Sequence, residues 1–300
     1  RPYITGYFTV SVRPGDTFYR IARRYGTTTE AMITANPTVN PLELQTGQRL
    51  TVPLSFFVIP TTIRYTALLV SLCLEGLGAR YPFIRTGRIG SSVLGQPLLS
   101  AEIGVGERTV FYNASHHANE WITTPLLLRF LEAYGDAYAN DKTLFDTDAR
   151  VLYRGCTVKI VPLVNPDGVD LVTGAISQGT AYDGALRISE NYPDIPFPFG
   201  WKANIAGTDL NLNYPAEWEQ AREIKFSQGF TGPAPRDYVG TAPLSAPESR
   251  AVYEYTRAQN FDRILSYHTQ GKVIYWKFLN YNPPGALELG RRLSAVSGYQ

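Results

Sequence analysis

Three histidines are the only imidazoles in the 300-residue chain, and they offer its clearest route to chemistry. His116 and His117 lie side by side, just after a stretch at 108–113 that is typical of a strand. Glu120 follows three residues after His117, where a long helix is predicted to begin. An imidazole and a carboxylate at this spacing, across a strand-to-helix turn, can point toward one metal ion.

His268 is the residue that could complete such a site. It directly follows a predicted strand at 263–267, and catalytic groups collect at strand ends in α/β sheets. Far from His117 in sequence, it can reach that residue only through the fold. A catalytic zinc ion uses three protein ligands and leaves one position open for water. The candidate ligand set for one Zn²⁺ is therefore His117, Glu120 and His268.

Alternating strands and helices must position these residues. Apolar runs predict strands at 56–59, 84–89, 98–103, 108–113, 157–163, 263–267 and 273–278, and helices at 65–77, 120–139 and 247–260. Gly76 and Gly78 are predicted to end the first helix, the sequence Asn-Pro-Asp-Gly at 165–168 predicts a turn, and 174–200 reads as a long irregular loop. This alternation predicts an α/β sheet with helices packed on its faces.

The first 54 residues show a different order of elements. A strand at 7–13 is followed by a turn, and Phe18, Ile21, Ala22 and Tyr25 then recur at helical spacing before Gly26. A second helix at 30–35 and a strand at 47–53 complete a β-α-α-β unit.

Composition excludes several classes of protein. The chain is 44% hydrophobic and only 18% charged, which excludes a disordered chain. Its longest apolar run, 67–74, stops at Glu75, so no membrane span is predicted. A net charge of +2 gives no electrostatic case for binding nucleic acid, and two cysteines cannot form a disulfide scaffold.

The run PGDTFYRIARRYGTTTEAMITANPTVNPLELQTGQRLTVP resembles a LysM module along its whole length. The resemblance implies a module at residues 7–54 that binds N-acetylglucosamine polymers, either peptidoglycan or chitin. It places the sugar groove between two loops, with the candidate glycan-binding residues Asp16, Thr17, Phe18, Asn40, Pro41 and Leu44.

The motifs ASHHANEWIT, NPDG, WKAN, GTDLNLNY and LSYHTQG, in this order, resemble the zinc carboxypeptidase family of the carboxypeptidase A type. The resemblance implies a mixed-sheet α/β peptidase domain at residues 55–300, in which His117, Glu120 and His268 bind one zinc ion. It gives His116 a supporting position. Lys202, after Trp201, stands where the family has the arginine that polarises the scissile carbonyl.

Asn211 and Leu212 stand where the carboxypeptidases have an Asn-Arg pair that anchors the substrate's terminal carboxylate. Leucine cannot bind a carboxylate, so selection for a free C-terminus should be weak or differently built. LNLNYP and YHTQGKVIYW resemble the bacterial branch that cleaves the γ-D-glutamyl–diaminopimelate bond of peptidoglycan stem peptides. An ordinary metallocarboxypeptidase and a non-catalytic wall-binding protein remain alternatives.

The family's general-base glutamate has no match within residues 1–300. Glu288 is the only acid after His268, and it lies in an amphipathic stretch without the family's strand context, so it is not assigned. A chain that stops short of its natural C-terminus is the preferred explanation. The combined resemblance implies a bacterial, extracytoplasmic protein associated with the cell wall or spore, with a cytoplasmic recycling role left open.

Overall fold

The structure, a computed structural model, describes residues 2–300 and the side chains of residues 4–300. Residues 7–53, here called the LysM segment, form the predicted β-α-α-β unit after a short N-terminal helix. Its elements, with that first helix, are α1 (Pro2–Thr5), β1 (Tyr7–Ser11), α2 (Phe18–Tyr25), α3 (Thr29–Ala35) and β2 (Arg49–Pro53). The two strands pair antiparallel, with Thr9 opposite Thr51.

Local signals fix both helices of the LysM segment. The Thr17 hydroxyl accepts a hydrogen bond from the Arg20 N–H and caps α2, and Thr28 does the same for α3 through the Ala31 N–H. Gly26 ends α2 in the left-handed region at φ 69°, a conformation that costs glycine little. The core between helices and strands is apolar and contains Val12, Phe18, Ile21, Ala22, Met32, Leu50 and Val52.

The remaining residues build a five-stranded mixed sheet with helices around it, which confirms the predicted fold class. The elements are α4 (Ala67–Arg80), β3 (Arg85–Ser91), β4 (Pro97–Ile103), β5 (Arg108–Ala114), α5 (Thr123–Ala139), β6 (Thr143–Leu144), β7 (Thr147–Asp148), α6 (Ala149–Gly155), β8 (Cys156–Val161), α7 (Pro166–Thr173), α8 (Thr180–Ser189), α9 (Trp218–Ser227), α10 (Pro247–Ala258), β9 (Arg263–Tyr267) and α11 (Ala286–Ser297). The strand order is β3-β4-β8-β5-β9, and β5 runs parallel to both neighbours.

The parallel strands bring chemistry-bearing residues to one edge. Because β5 and β9 are parallel and Ala114 pairs with Tyr267, the segments that follow them leave the sheet side by side. Below that edge, apolar side chains of α4, α5 and the strands form the largest core cluster. Its fully buried members include Tyr65, Leu77, Ile103, Leu128 and Ile160.

Several predicted boundaries are wrong. Residues 56–59 and 273–278 form no strand; the second stretch makes only a single bridge, between Phe278 and Tyr281. Gly76 and Gly78 lie inside α4 rather than at its end. The Asn-Pro-Asp-Gly sequence starts a helix: Asn165 caps α7 by accepting the Gly168 N–H, and Pro166 occupies its first turn. The 174–200 stretch contains α8.

Side chains of α4 attach the LysM segment and its following linker to the sheet domain. The Arg80 guanidinium donates to the carbonyl oxygens of Leu54 at 2.7 Å and Phe56 at 2.8 Å, and the Tyr7 hydroxyl donates to Glu75 at 2.7 Å. At Gly76 a Cβ atom would lie 2.2 Å from the Thr5 carbonyl oxygen, so only glycine permits this approach.

Two compact units divide the chain, one ending at Tyr267 and one comprising His268–Gln300. The predicted boundary after residue 54 lies within the first unit and stays a prediction. In the second unit, α11 packs Gly290 against Trp276, and Gln300 exchanges backbone hydrogen bonds with Lys272 and Ile274. Each helix described between residues 2 and 300 is too short or too polar to cross a lipid bilayer.

Candidate metal centre

A strained turn delivers the first two candidate ligands. Ser115, directly after β5, adopts φ 54°, which is unusual for a residue with a side chain. Its hydroxyl is buried among the Thr123 and Thr124 hydroxyls and the Glu120 carbonyl oxygen. The chain can therefore reverse sharply from the sheet, and Glu120 lies in a short 3-10 turn, Ala118–Glu120, before α5. The expected helical position of Glu120 is thus replaced by this separate turn.

The three predicted ligands come together. Ligand atoms of His117, Glu120 and His268 all lie within 4.8 Å of one another. His268 is covalently joined to the last residue of β9, which pairs with the last residue of β5. His117 and Glu120 are buried and His268 is exposed. Two imidazoles and one carboxylate are the donor set of catalytic zinc sites that keep a fourth position open, so these residues fit a zinc ion.

Asp209 holds the His117 ring from the other side. Its Oδ1 atom lies 3.2 Å from His117 Nε2, while Glu120 Oε2 lies 3.2 Å from His117 Nδ1. Burial alone would lower the pKa of His117, but hydrogen bonds to Asp209 and Glu120 outweigh it and raise the pKa to about 9. Because Nε2 contacts Asp209 and Nδ1 contacts Glu120, itself a candidate ligand, Nδ1 is the nitrogen on the side of the metal position.

Asp209 is itself firmly held. Although burial opposes its charged form, hydrogen bonds from His117 and from the Asp237 N–H keep the pKa of Asp209 below its usual value. The Asn211 N–H also donates to Oδ1, at 3.2 Å. Sequence reasoning did not assign this residue. The only indication of Asp209 in the sequence is that it is the single carboxylate of the GTDLNLNY motif.

Lys202 is a buried cation near these groups, only 6% exposed. Its backbone is fixed on both sides, since its N–H donates to the Pro235 carbonyl and its own carbonyl accepts the Ala118 N–H. Burial, followed by the charge of Arg236, lowers the pKa of Lys202, while the charges of Glu120 and Asp209 oppose this decrease. A desolvated ammonium group can stabilise developing negative charge strongly.

Asn165 joins the segments that carry His117 and Lys202. The fully buried amide donates to the carbonyl oxygens of His116 at 3.1 Å and Ala203 at 2.9 Å, and its oxygen accepts the Gly168 N–H. His116 is also buried, with Nε2 2.8 Å from the Tyr214 hydroxyl. The expected supporting position of His116 thus has a definite partner.

Asn211 and Leu212 follow Asp209 in a 3-10 turn, Leu210–Leu212. Asn211 is exposed and Leu212 is half-buried. Glu288 lies in the first turn of α11, as its amphipathic pattern predicts.

The predicted glycan-binding residues divide into three groups. Phe18 is wrong as a groove residue, because its side chain is 2% exposed and packs in the core of the LysM segment. Asp16 and Thr17 act within their own turn: an Arg24 hydrogen bond keeps the pKa of Asp16 below its usual value, and Thr17 caps α2. In the second loop, the Asn40 side chain accepts the Leu42 N–H, Pro41 is half-buried and Leu44 packs against the core.

Two families match the sequence: the family described as zinc carboxypeptidase over residues 71–289 and the LysM domain over residues 10–53. The chain is 39% identical to gamma-D-glutamyl-L-diamino acid endopeptidase 1 of Lysinibacillus sphaericus, over 97% of this chain and 85% of that protein. It is 38% identical to the protein YqgT of Bacillus subtilis, over 73% of this chain and 57% of that protein.

Among solved structures, carboxypeptidase A from Helicoverpa armigera superposes with a TM-score of 0.57 at 20% identity, covering 81% of this chain and 55% of that one. This likeness shows the fold. The chain thus spans little more than half the length of that carboxypeptidase and of YqgT. With a matching fold, two matching families and a histidine–glutamate–histidine cluster at the sheet edge, the chain belongs to the zinc carboxypeptidase family of metallopeptidases and carries a LysM domain.

Proposed function

We propose that this protein is a zinc-dependent peptidase that hydrolyses the γ-D-glutamyl–diaminopimelate bond of peptidoglycan stem peptides, while its LysM segment holds the glycan. The observation that carries the proposal is the 39% identity to a γ-D-glutamyl-diamino acid endopeptidase, which extends through both the LysM and the peptidase parts of the chain. Leu212 supports it, because this neutral side chain cannot hold the terminal carboxylate of an ordinary carboxypeptidase substrate.

His117, Glu120 and His268 would hold the zinc ion. When bound, zinc lowers the pKa of a water molecule and polarises a carbonyl group. Asp209 fixes the orientation of the His117 ring and keeps its Nδ1 atom toward the metal position. Lys202 stabilises the negative charge that develops on the carbonyl oxygen as the amide is attacked. No described residue is assigned as the proton acceptor.

The LysM segment would raise the local concentration of stem peptides by binding the glycan that carries them. Peptidoglycan as the partner fits both parts of the protein, and it favours a cell-wall location outside the cytoplasm. Chitin is the other polymer that this class of module binds, and it offers no stem peptide to the peptidase.

The test compares two substrates with the full-length, zinc-loaded protein. We expect cleavage of L-Ala-γ-D-Glu-meso-diaminopimelate at the γ-D-glutamyl bond and little action on hippuryl-Phe. A preference for hippuryl-Phe would make the protein an ordinary metallocarboxypeptidase. Absence of cleavage of either, together with pull-down on insoluble peptidoglycan, would make it a wall-binding protein.

The metal assignment is tested separately, by zinc content after dialysis. One zinc per chain is expected for the wild type and almost none for His117→Ala or His268→Ala, because each removes one of three ligands. Asp136→Asn serves as the control, since Asp136 is half-buried in α5 and pairs with the exposed Lys142 rather than with any of the candidate ligands. Retention of stoichiometric zinc by both ligand variants would contradict the assignment.

A further inference from the structure

We propose that Arg236 binds the free α-carboxylate of the D-glutamyl residue whose γ-carbonyl is attacked, and thereby selects γ-linked glutamate on the acyl side of the scissile bond. This inference rests on the proposed function and adds a specificity-determining residue to it. Its basis is that the two neighbours of Arg236 are hydrogen-bonded to Lys202, which stabilises the carbonyl oxygen in the proposed function, and to Asp209, which orients His117.

Backbone contacts fix Arg236 from both directions. The preceding carbonyl, of Pro235, accepts the Lys202 N–H at 2.8 Å. The following N–H, of Asp237, donates to Asp209 Oδ2 at 3.1 Å. Arg236 therefore lies in a segment that is hydrogen-bonded both to the backbone of the buried Lys202 and to the Asp209 carboxylate that orients His117.

The guanidinium group is held at one edge only. Arg236 Nε donates to Asp237 Oδ2 at 2.5 Å, and Lys225 Nζ holds the other oxygen of Asp237 at 2.6 Å. In the part of the chain with described side chains, the terminal nitrogens of Arg236 have no hydrogen-bond partner, and the side chain is 39% exposed. Because one Asp237 carboxylate is shared by Arg236 and Lys225, the three side chains together keep a net positive charge. The terminal nitrogens of Arg236 can then donate two parallel hydrogen bonds to a carboxylate.

Asp237 has φ 66°, an uncommon conformation for a residue with a side chain. This turn lets the Asp237 backbone reach Asp209 while its side chain reaches Arg236. The charge of Arg236 is also felt by Lys202, since after burial it is the largest influence that lowers the pKa of that lysine. The Lys202 backbone is also hydrogen-bonded to the carbonyl of Pro235, the residue before Arg236, so both cations belong to one hydrogen-bonded part of the fold.

The chemistry of the substrate supplies the match. Glutamate linked through its γ-carboxyl keeps a free α-carboxylate, separated from the scissile carbonyl by two methylene groups and the α-carbon. In an ordinary peptide bond only a glutamate on the acyl side carries a carboxylate at the same separation, through its side chain, and the other residues have none there. If Lys202 faces the scissile carbonyl oxygen, the cation beside it is placed to receive the α-carboxylate. Leu212 provides no competing cation in the neighbouring turn.

The test uses L-Ala-D-Glu and its α-carboxamide analogue, L-Ala-D-isoglutamine, titrated into the zinc-loaded full-length protein by calorimetry. We expect the wild type to bind the free carboxylate about 10- to 100-fold more tightly, since hydrogen bonds to a charged group are lost in the carboxamide. In Arg236→Gln the ratio should fall below about threefold. Arg236→Lys, which keeps the charge without the fork, should fall between. Arg222→Gln, which removes a comparably exposed arginine from α9, should keep the wild-type ratio.

The same comparison is made by kcat/KM on the tripeptide and its α-carboxamide form. If Arg236 served only to support Asp237, Arg236→Gln would weaken both ligands equally, and this result would overturn the proposal. A wild-type ratio near one, in a protein that cleaves the tripeptide, would overturn it too while leaving the proposed function intact. A protein that neither binds the dipeptides nor cleaves the tripeptide would overturn both.

Discussion

Asn36 and Asn165 are both buried asparagines that bind the backbone of other segments, but they bridge very different lengths of chain. Asn36 binds the Met32 carbonyl, one turn earlier, and pairs with both backbone groups of Thr51, fifteen residues later. Asn165 connects the turn at His116 with the loop at Ala203, 49 and 38 residues away. The LysM segment is thus closed by near contacts, whereas the metal centre depends on segments that only the complete sheet brings together.

Replacing Asn165 should produce the largest effect. We expect Asn165→Ala to lower the free energy of unfolding by about 3 kcal/mol, because it leaves buried carbonyl groups without donors. Zinc affinity should fall at least tenfold as the His117 turn loosens. Chemical denaturation and chelator competition measure the two effects. Asn140→Ala, at an exposed site, is the control. Loss of stability with unchanged zinc affinity would separate Asn165 from the metal centre.

Asp209→Asn tests how strictly the distant carboxylate orients His117. The two N–H groups donate to different oxygens of Asp209, that of Asp237 to Oδ2 and that of Asn211 to Oδ1, so the variant keeps an acceptor for only one of them and removes the charge that holds the His117 ring. We expect zinc affinity to fall about 10- to 100-fold, with a small change in unfolding midpoint. Competition with a chelator gives the affinity, and a fall under threefold would contradict the role given to Asp209. Asp136→Asn should leave affinity unchanged.

Asn36→Ala is the counterpart of the first prediction. It removes three hydrogen bonds within the LysM segment and should cost about 1.5 kcal/mol, less than Asn165→Ala because Thr51 is only half-buried. Zinc affinity should equal that of the wild type. A change in zinc affinity would show that the LysM segment and the metal centre are coupled, and the contrast between the two asparagines would fail.

Gly26→Ala should have the smallest effect. Its cost, about 1 kcal/mol, comes from the left-handed backbone at φ 69°, since no atom lies near enough to clash with a methyl group. Gly184→Ala is a matched control inside α8, where the space is also open and the backbone is helical. This control should raise the unfolding midpoint by favouring the helix. Equal effects of both substitutions would contradict the conformational explanation.

The difference between contacts close in sequence and contacts far apart in sequence also decides what the sequence could predict. In the LysM segment, Thr17, Thr28 and Gly26 carry the helix ends within a few residues, and the pattern predicted all four main elements. Gly76 misled the prediction, since glycine is typical of helix ends. Here it lies within α4, because the Thr5 carbonyl approaches too closely for any side chain. That requirement comes from a segment more than 70 residues earlier and leaves no local trace.

At the metal centre, the ligand types and their positions after β5 and β9 predicted the cluster that the structure assembles. Neighbouring residues were harder to assign. Asp209 and Asn165 act through contacts 28 to 92 residues away, and nothing in their local patterns distinguishes them from surface polar residues. The prediction that Phe18 lines the sugar groove is wrong for a local reason. Phe18 follows the first predicted groove loop, but it lies on the apolar face of α2 and packs into the core of the LysM segment.

The hydrogen bonds of Arg80 restrict how the LysM segment can move relative to α4. A free linker lets two joined modules sample many separations, and their mutual concentration then depends on linker length. Here one guanidinium holds the carbonyl groups of Leu54 and Phe56, so the chain leaving the LysM segment is fastened to α4 at its first residues. A polymer strand bound by the LysM segment would then reach the metal centre at a fixed distance, and the spacing of cleavage sites along the strand would follow the repeat of the polymer.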